Sequence, residues 1–356
     1  MSPKKGGVAH RPPSGTFPTM DAVRRTRLRA ADPAGVAEAA RLLRAGQLVG
    51  LPTETVYGLA AHAFDADAVL AVFDAKERPR FDPLIVHVLG ADALAQVVDE
   101  RRLSPAARRQ TEALTRLWPG PLTLVLPKAA EVPELVTSGL DTVAVRAPAH
   151  DAARAVLRAL GAPFVAPSAN RFGRISPTRA AHVVEELDGR VPLVLDGGAS
   201  EHGVESTIVG VEEDGTLRLL RPGATPRGAV EDIAGARLEA PRARGPRRGP
   251  GMLASHYAPR IPLVLETGQR DGPVAWLLFG SPTRDDWARY GVPVAVERLG
   301  DDDRRAAREL FAALRRLDDS GASWILAELP TSRGGLGPAI RDRLTRAAAD
   351  RDPSMT

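Results

Sequence analysis

The stretch LPTETVYGL at residues 51–59 decides how the fold is interpreted. An apolar run at residues 48–51 leads into it, and a helical apolar pattern at residues 66–75 follows and ends in Lys76. We therefore predict a buried strand, a polar turn and a helix, in that order. Because ligands of α/β folds bind beyond the ends of strands, the threonines and the glutamate of this turn predict the lip of a binding site.

Strand and helix patterns alternate on both sides of this stretch. Upstream, Asp32 as N-cap, Pro33 at the first helical position and Gly46 as the stop define a helix. Downstream, Thr178 is expected to cap a helix that ends near Gly189. The alternation predicts an α/β fold with a mixed sheet, and not a strictly parallel one. Further strands are predicted at residues 84–88, 122–126, 142–146, 164–166, 193–196, 207–209 and 217–220, and further helices at residues 105–117 and 151–160.

The chain of 356 residues is long enough for two domains. Residues 1–19 contain four prolines and no acidic residue, and we predict a disordered tail there, with Met20 as a candidate start. Apart from proline, residues 241–251, PRARGPRRGPG, carry no apolar side chain larger than alanine, and they predict a linker. Beyond it, strand and helix patterns alternate again and predict a small three-layer α/β domain. The predicted division is a tail at 1–19, a first domain at 20–240, a linker at 241–260 and a second domain at 261–350.

Composition excludes several classes of site. The chain has no cysteine, which removes disulfides, thiolate zinc sites and cysteine nucleophiles. Its apolar runs are far shorter than the roughly 20 residues of a membrane span. The net charge of +4 comes from 48 basic against 44 acidic residues, a mild excess that favours a small phosphate ligand over nucleic acid. Neither a GxxxxGK[ST] loop nor an HExxH motif is present, and Ser168 lacks the GxSxG context of a hydrolase nucleophile.

Small polar side chains and cations recur at the predicted strand ends. Each of them alone also fits an ordinary turn or a solvated surface position. Their joint arrangement favours one cleft, and a cleft with several cations and small donors suits both a triphosphate and a carboxylate. The polar residues are Thr53, Thr55, Ser168, Asn170, Ser206 and Thr207, and the cations are Lys76, Arg78, Arg146 and Arg221.

With these residues assembled, the chain closely resembles the two-domain form of the threonylcarbamoyl-AMP synthase family. The resemblance implies a YrdC-like catalytic domain, with a twisted mixed sheet and flanking helices, followed by a linker and a smaller Rossmann-like domain. Seven motifs in order carry it: PTETVYGL at 52–59, KERP at 76–79, DPLIVHV at 82–88, PSANRFGRISPT at 167–178, GVESTIV at 203–209, LRPGA at 220–224 and GMLASHYAP at 251–259.

The resemblance also implies an activity. Members of this family make threonylcarbamoyl-adenylate and pyrophosphate from L-threonine, bicarbonate or CO2, and ATP, for the modification of tRNA adenosine 37. It implies a cytoplasmic nucleotidyltransferase that uses Mg²⁺ with ATP and holds no metal site of its own. Further partners would be tRNA or the downstream threonylcarbamoyl-transferase complex, and the linker would act as a lid.

The resemblance assigns roles to individual positions. Asp82 stands where the family usually has asparagine, so its charge needs Mg²⁺ or an arginine such as Arg80 to offset it. Phe172 stands where the family usually has a small residue. The implied threonine-binding set is Thr55, His87, Arg146, Ala166 and Ser206, with Thr53 the alternative to Thr55. The implied ATP-binding set is Arg78, Asp82, Thr142, Ser168, Ser176, Arg221 and Tyr257, and the implied catalytic set is Lys76, Arg78, Ser168 and Asn170.

Two rival functions follow from the same residues. A carbamoyltransferase of the hydrogenase-maturation type would share the YrdC-like domain, but it would need acylphosphatase and cysteine-rich zinc modules that a cysteine-free chain does not supply. A non-catalytic RNA-binding or regulatory protein of the same fold is the other alternative. The intact set Lys76, Arg78, Ser168 and Asn170 argues against it, because a pure binder does not need those residues.

Overall fold

The computed structural model describes residues 25–241, 255–265, 268–281 and 290–349, which form two β-sheets with flanking helices. The predicted tail at residues 1–19 and most of the predicted linker lie outside the described residues. No helix in the described ranges combines the length and the apolar character that a membrane crossing requires.

The first sheet has eleven strands in the order β1-β8-β2-β3-β7-β4-β6-β5-β9-β10-β11. Parallel pairs such as β4 with β6 and antiparallel pairs such as β5 with β6 occur side by side, so the predicted mixed sheet is confirmed. The strands are β1 (Arg27–Ala30), β2 (Val49–Leu51), β3 (Gly58–His62), β4 (Ile85–His87), β5 (Leu122–Pro127), β6 (Thr142–Arg146), β7 (Phe164–Val165), β8 (Leu193–Asp196), β9 (Thr207–Val211), β10 (Leu217–Arg221) and β11 (Leu238–Glu239).

Seven α-helices flank this sheet, and the first shows why they form where they do. Helix α1 begins after Asp32, whose side chain accepts a hydrogen bond from the Gly35 amide, and Pro33 occupies its first turn as predicted. Its buried alanines and leucines pack with those of α5 against β2 and β8. The helices are α1 (Pro33–Arg44), α2 (Ala66–Lys76), α3 (Pro105–Leu114), α4 (Glu134–Thr137), α5 (Asp151–Leu160), α6 (Ala180–Leu187) and α7 (Arg227–Ala234).

The second sheet has four parallel strands in the order β12-β15-β13-β14. Ala275 and Leu277 on one face pack with apolar residues of helices α8 and α9, while Trp276 on the other face packs with Trp324. This arrangement agrees with the predicted Rossmann-like fold of the second domain. The elements are β12 (Leu263–Leu265), β13 (Val274–Leu278), β14 (Ala295–Arg298), α8 (Asp303–Asp318), β15 (Trp324–Ala327) and α9 (Gly337–Ala348).

Two local predictions were wrong. The turn at residues 51–59 does not lead directly into a helix, because β3 begins at Gly58 and pairs antiparallel with β2 before α2 starts. Thr178 does not cap α6. The helix begins at Ala180 with Arg179 as its N-cap, and the Thr178 amide instead donates to His182 Nδ1 at 3.3 Å. Both errors come from assigning turn residues by residue type alone, because pairing with β2 and the contact with His182 decide the two conformations.

Candidate active site

A cavity opens where several strands of the first sheet end. The parallel strands β4 and β6 place His87 and Arg146 side by side at their C-terminal ends. The turn between β2 and β3 forms another wall. His256 and Tyr257, which precede the second sheet in the sequence, complete the lining. Its lining consists of Thr53, Thr55, Val56, Gly58, Arg78, Ile85, His87, Arg146, Ala166, Pro167, Ser168, Glu205, Ser206, Arg221, His256 and Tyr257.

Arg146 is a buried cation whose N–H groups are not all hydrogen-bonded. Its Nη1 donates to Thr55 Oγ1 at 3.0 Å, and its Nη2 lies 3.6 Å from Glu54 Oε1. Its Nε has no hydrogen-bond partner among the described residues. A buried guanidinium with an unused donor is suited to bind a carboxylate.

The structure distinguishes Thr53 from Thr55. The Thr53 hydroxyl donates to the Val56 carbonyl at 2.6 Å, so it stabilises the turn itself. Thr55 is the hydroxyl that contacts Arg146, and the two threonine oxygens lie 2.9 Å apart. Thr55 is therefore the better placed of the two to contact a ligand held by Arg146.

His87 is buried and neutral. Burial, and then the charge of Arg146, hold the pKa of His87 well below its usual value. Its Nδ1 lies 3.2 Å from the carbonyl oxygen of Ile85, which can only accept, so Nδ1 carries the proton. In the neutral ring Nε2 is then an acceptor, available for an amine or a hydroxyl.

Lys76 does not line the cavity, although it was expected to act on phosphates. It lies at the end of α2 and is 1% exposed. Its ammonium donates to the carbonyl oxygens of Ser168 and Asn170, the latter at 2.6 Å. Burial, and then the neighbouring Arg78, lower the pKa of Lys76 well below its usual value. Lys76 thus fixes the turn that carries Ser168 in the cavity wall.

Arg78 lines the cavity and is paired with Asp82. Its Nη2 lies 2.9 Å from Asp82 Oδ2 and donates to the Pro83 carbonyl at 2.9 Å. The charge of Asp82 is therefore offset by Arg78, whereas Arg80, the arginine considered from the sequence, is exposed. The ring of Phe172 lies 6.0 Å from the Arg78 guanidinium, so the unusual aromatic residue forms part of the surroundings of that cation.

Arg221 and Ser206 meet where β9 and β10 approach. Arg221 Nη2 donates to the Ser206 carbonyl at 2.9 Å, and the Ser206 hydroxyl lies 2.8 Å from Thr123 Oγ1. The motif LRPGA needs its glycine here, because a Cβ on Gly223 would lie 2.3 Å from the backbone of Ser206. The close approach of these two backbones brings a cation and a hydroxyl into one wall.

Tyr257 closes the cavity from the side of the second domain. It is 1% exposed and its ring stacks on Phe311 of α8, with 5.6 Å between the centroids. Its hydroxyl has no hydrogen-bond partner among the described residues. A buried hydroxyl without a partner in a cavity wall is suited to bind a ligand.

Comparison with known proteins gives matches along most of the chain. A family model described as "Telomere recombination" matches residues 41–223, and one described as "Threonylcarbamoyl-AMP synthase, C-terminal domain" matches residues 226–349. A curated protein of Pyrococcus abyssi named "Threonylcarbamoyl-AMP synthase" is 40% identical over 328 residues, which cover 88% of this chain and 94% of that protein. This chain belongs to the threonylcarbamoyl-AMP synthase family. The predicted family resemblance is confirmed.

Two further relatives of this synthase family support the assignment. A threonylcarbamoyl-AMP synthase of Bacillus subtilis is 38% identical over 335 residues, covering 89% of this chain and 93% of that protein. The crystal structure of Pyrococcus abyssi Sua5 complexed with L-threonine has a TM-score of 0.81 and 36% identity, covering 91% of this chain and 98% of that one. The predicted fold class, a YrdC-like domain with a smaller Rossmann-like one, is thereby confirmed.

Most, but not all, of the residues that the synthase motifs suggested reach the cavity wall. Thr142 is the first residue of β6 and Arg146 is the last, so about 13 Å of extended strand separates them. Asn170 donates from Nδ2 to the carbonyls of Arg171 and Arg174, and so shapes its own turn. The predicted residues in the wall are Thr55, Arg78, His87, Arg146, Ala166, Ser168, Ser206, Arg221 and Tyr257, and those outside it are Lys76, Asp82, Thr142, Asn170 and Ser176.

Sequence reasoning missed Glu205 and His256 in the cavity wall. Glu205 directly precedes Ser206, and His256 directly precedes Tyr257, within motifs of the synthase family. This adjacency to predicted site residues is the sequence signal that could have identified them. Glu205 is an acid among hydroxyls, and the charges of Arg343 and Arg221 lower its pKa although burial alone would raise it. In the described part of the chain, no group of three or more histidine and acidic side chains is arranged to hold a metal ion.

Proposed function

We propose that this chain forms threonylcarbamoyl-AMP and pyrophosphate from L-threonine, bicarbonate or CO2, and ATP. The observation that carries the proposal is the convergence of three buried arginines, Arg78, Arg146 and Arg221, on one cavity that also holds small hydroxyls. Several buried cations in one cavity are suited to a ligand set that combines a carboxylate with a polyphosphate.

The proposed reaction needs no protein nucleophile. The threonine amine adds to the carbon of CO2, so that a C–N bond forms while one C–O π bond opens onto oxygen, and the nitrogen loses a proton to solvent to give a carbamate. A carbamate oxygen then attacks the α-phosphorus of ATP in line, and the bond from the α-phosphorus to the bridging oxygen breaks. Pyrophosphate leaves with that electron pair. Catalysis of this kind depends on positioning and on stabilising negative charge in the transition state.

The threonine side of the cavity is assigned to Arg146 and its neighbours. Arg146 is proposed to bind the substrate carboxylate, for which its unused Nε supplies a donor. The Nε2 atom of His87 can accept a hydrogen bond from the amine or the hydroxyl of threonine. Thr55 and Ser206 complete this set, and the Ala166 backbone lies beside them in the lining.

The nucleotide side is assigned to the remaining polar residues of the wall. Arg78 and Arg221 would offset the charge of the phosphates, and Ser168 and the Tyr257 hydroxyl would donate hydrogen bonds. Mg²⁺ would enter with ATP, held by phosphate oxygens and water, and would supply further charge neutralisation. The lining fits an Mg²⁺ ion that is held by phosphates and water. Its carboxylate, Glu205, is already bonded to Ser176 and Arg343 and would not serve as a ligand.

The proposal extends to the fate of the product. An acyl phosphate such as threonylcarbamoyl-AMP is reactive, so transfer to tRNA adenosine 37 by a downstream transferase complex would follow in the cytoplasm. Binding of tRNA to this chain would be a separate property, testable by titrating labelled tRNA with and without that complex.

The deciding experiment measures pyrophosphate release with ATP, bicarbonate and L-threonine. Release should require threonine, and Arg78→Ala should lower it by about 100-fold, as expected for the loss of a charged donor in an active site. Arg80→Ala is the matched control, because Arg80 is an exposed arginine in the same loop. Pyrophosphate release that did not depend on threonine would contradict the proposal, and RNA binding without any release would favour the non-catalytic alternative.

A further inference from the structure

Arg343 is a fully buried cation that belongs to the second domain and not to the catalytic motifs. It lies on α9 and is 0% exposed. Its Nη1 donates to the Pro222 carbonyl at 2.9 Å and to Asp342 Oδ2 at 2.7 Å. Pro222 is part of the LRPGA motif of the first domain. A buried guanidinium from the second domain thus contacts the backbone beside the cavity.

The main ionic partner of Arg343 is Glu205 in the cavity wall. The Arg343 Nε atom lies 2.8 Å from Glu205 Oε2, across 138 positions of sequence. The other carboxylate oxygen of Glu205 accepts a hydrogen bond from the Ser176 hydroxyl at 2.5 Å. Arg343 and Ser176 together hold both oxygens of a carboxylate that would otherwise be free to turn into the cavity.

Arg343 also contacts the residue that closes the cavity. Its guanidinium carbon lies 5.1 Å from the centroid of the Tyr257 ring, within the range of a cation–π interaction. The same ring stacks on Phe311 of α8. Two parts of the wall that come from distant segments, Glu205 and Tyr257, are therefore fixed by one side chain of the second domain.

We propose that Arg343 is a positioning residue for the nucleotide, which neutralises Glu205 and holds Tyr257 in the wall of the active site. The inference rests on the proposed function, because it concerns the ATP side of that site. ATP brings several negative charges to a cavity in which Glu205 is an anion, and the attraction between Arg343 and Glu205 removes the resulting repulsion. Docking of the second domain then becomes a condition for binding ATP, and not only for stability.

The test uses the full-length chain and compares Arg343→Met with the double variant Arg343→Met/Glu205→Gln. Arg343→Met should raise the KM for ATP about tenfold or more, because it removes the cation that is ion-paired with Glu205 in the cavity wall. Removing that charge with Glu205→Gln should restore the KM to within about threefold of the wild type. Arg341→Met is the matched control on the same helix, since its side chain donates to the Pro330 carbonyl.

The outcomes separate positioning from a purely structural role. If Arg343→Met lowers the melting temperature but leaves the KM for ATP unchanged, or if Glu205→Gln gives no rescue, the proposal is wrong. If Arg343→Met does not fold, Arg343→Gln keeps hydrogen-bond donors but removes the charge, and it should fold and raise the KM for ATP, whereas Arg343→Lys keeps the charge and should stay closer to the wild type. An Arg343→Gln variant with the wild-type KM would equally overturn the proposal.

A failure of the proposed function would look different. If the wild-type chain released no threonine-dependent pyrophosphate, the synthase assignment would fall. The affinity for a fluorescent ATP analogue would then still be compared between Arg343→Met and the double variant. Weaker binding in the single variant with recovery in the double one supports the positioning role on its own, and equal binding contradicts it.

Discussion

The two sheets of this protein bury different kinds of side chain. Within residues 25–241 the structure buries the cations Lys76, Arg78, Arg146 and Arg221 together with several acids. Among the described residues from 255 onwards, the buried polar side chains are His256 and Arg343, and both contact the ring of Tyr257. Burying a charge is unfavourable unless it is paired. Buried charges are therefore concentrated in and beside the candidate active site, and the second sheet depends on apolar packing.

The strongest test of this difference removes a charge from the first region. Arg146→Met should lower threonine-dependent pyrophosphate release by about 100- to 1,000-fold, since truncating one partner of a buried charged interaction costs about 2–5 kcal/mol. Steady-state kinetics with threonine varied would measure it. Arg158→Met, on the exposed face of α5, is the control and should behave as the wild type. An unchanged KM for threonine in Arg146→Met would mean that this buried cation is structural.

The matching test in the second region removes apolar volume. Leu277 in β13 is 0% exposed, and Leu277→Ala should lower the free energy of unfolding by about 2–5 kcal/mol. The KM for threonine should stay within about twofold of the wild type at a temperature where the variant is folded. Urea unfolding followed by circular dichroism gives the first quantity. Val296→Ala, at a partly exposed position of β14, is the control with little expected change.

The sequence predicted most helices and strands because their signals are local. Asp32 and Pro33 begin α1 as expected, and the apolar alternation of residues 122–126 became β5. Strand β1 was missed because its residues are exposed and half of them are arginines. Strand β3 was missed because Gly58 follows a polar turn, and only pairing with β2 shows that the chain is extended there.

The candidate site was predictable where motifs end strands, and less so where contacts are long-range. Arg146 ends the apolar strand β6, and Ser206 directly precedes the apolar strand β9. Both positions predict the edge of the sheet. The role of Arg343 depends on a partner 138 residues away, and one arginine in an arginine-rich helix gives no local signal that it is buried. Lys76 was predicted at the site, but its bonds to the backbone at Ser168 could not be derived from spacing.

Buried histidines give a smaller, pH-dependent test. The pKa values of His87 and His256 are well below the usual value because of burial first, and then because of the arginines nearby. The unfolded chain therefore takes up these protons as the pH falls below about 6.5, while the folded chain does not. Stability should fall by up to about 1.4 kcal/mol per pH unit for each histidine. Urea midpoints from pH 7.5 to 5 measure this loss.

The control for that loss is a variant that cannot titrate. His87→Asn should show a shallower fall of stability with decreasing pH, although its stability at pH 7.5 is also lower because the bond to the Ile85 carbonyl is lost. An identical slope in His87→Asn and in the wild type would show that His87 is not the buried neutral group inferred here.

The smallest expected effect compares two buried tyrosines. Tyr257→Phe removes a hydroxyl without a protein partner among the described residues, so stability should be unchanged, while the KM for ATP should rise about fivefold, near 1 kcal/mol. Tyr57→Phe removes a hydroxyl that donates to the Gly198 carbonyl at 2.7 Å, so it should lower stability and leave the KM unchanged. If both variants lost stability equally with normal kinetics, the Tyr257 hydroxyl would not face the nucleotide, and the second domain would contribute packing alone.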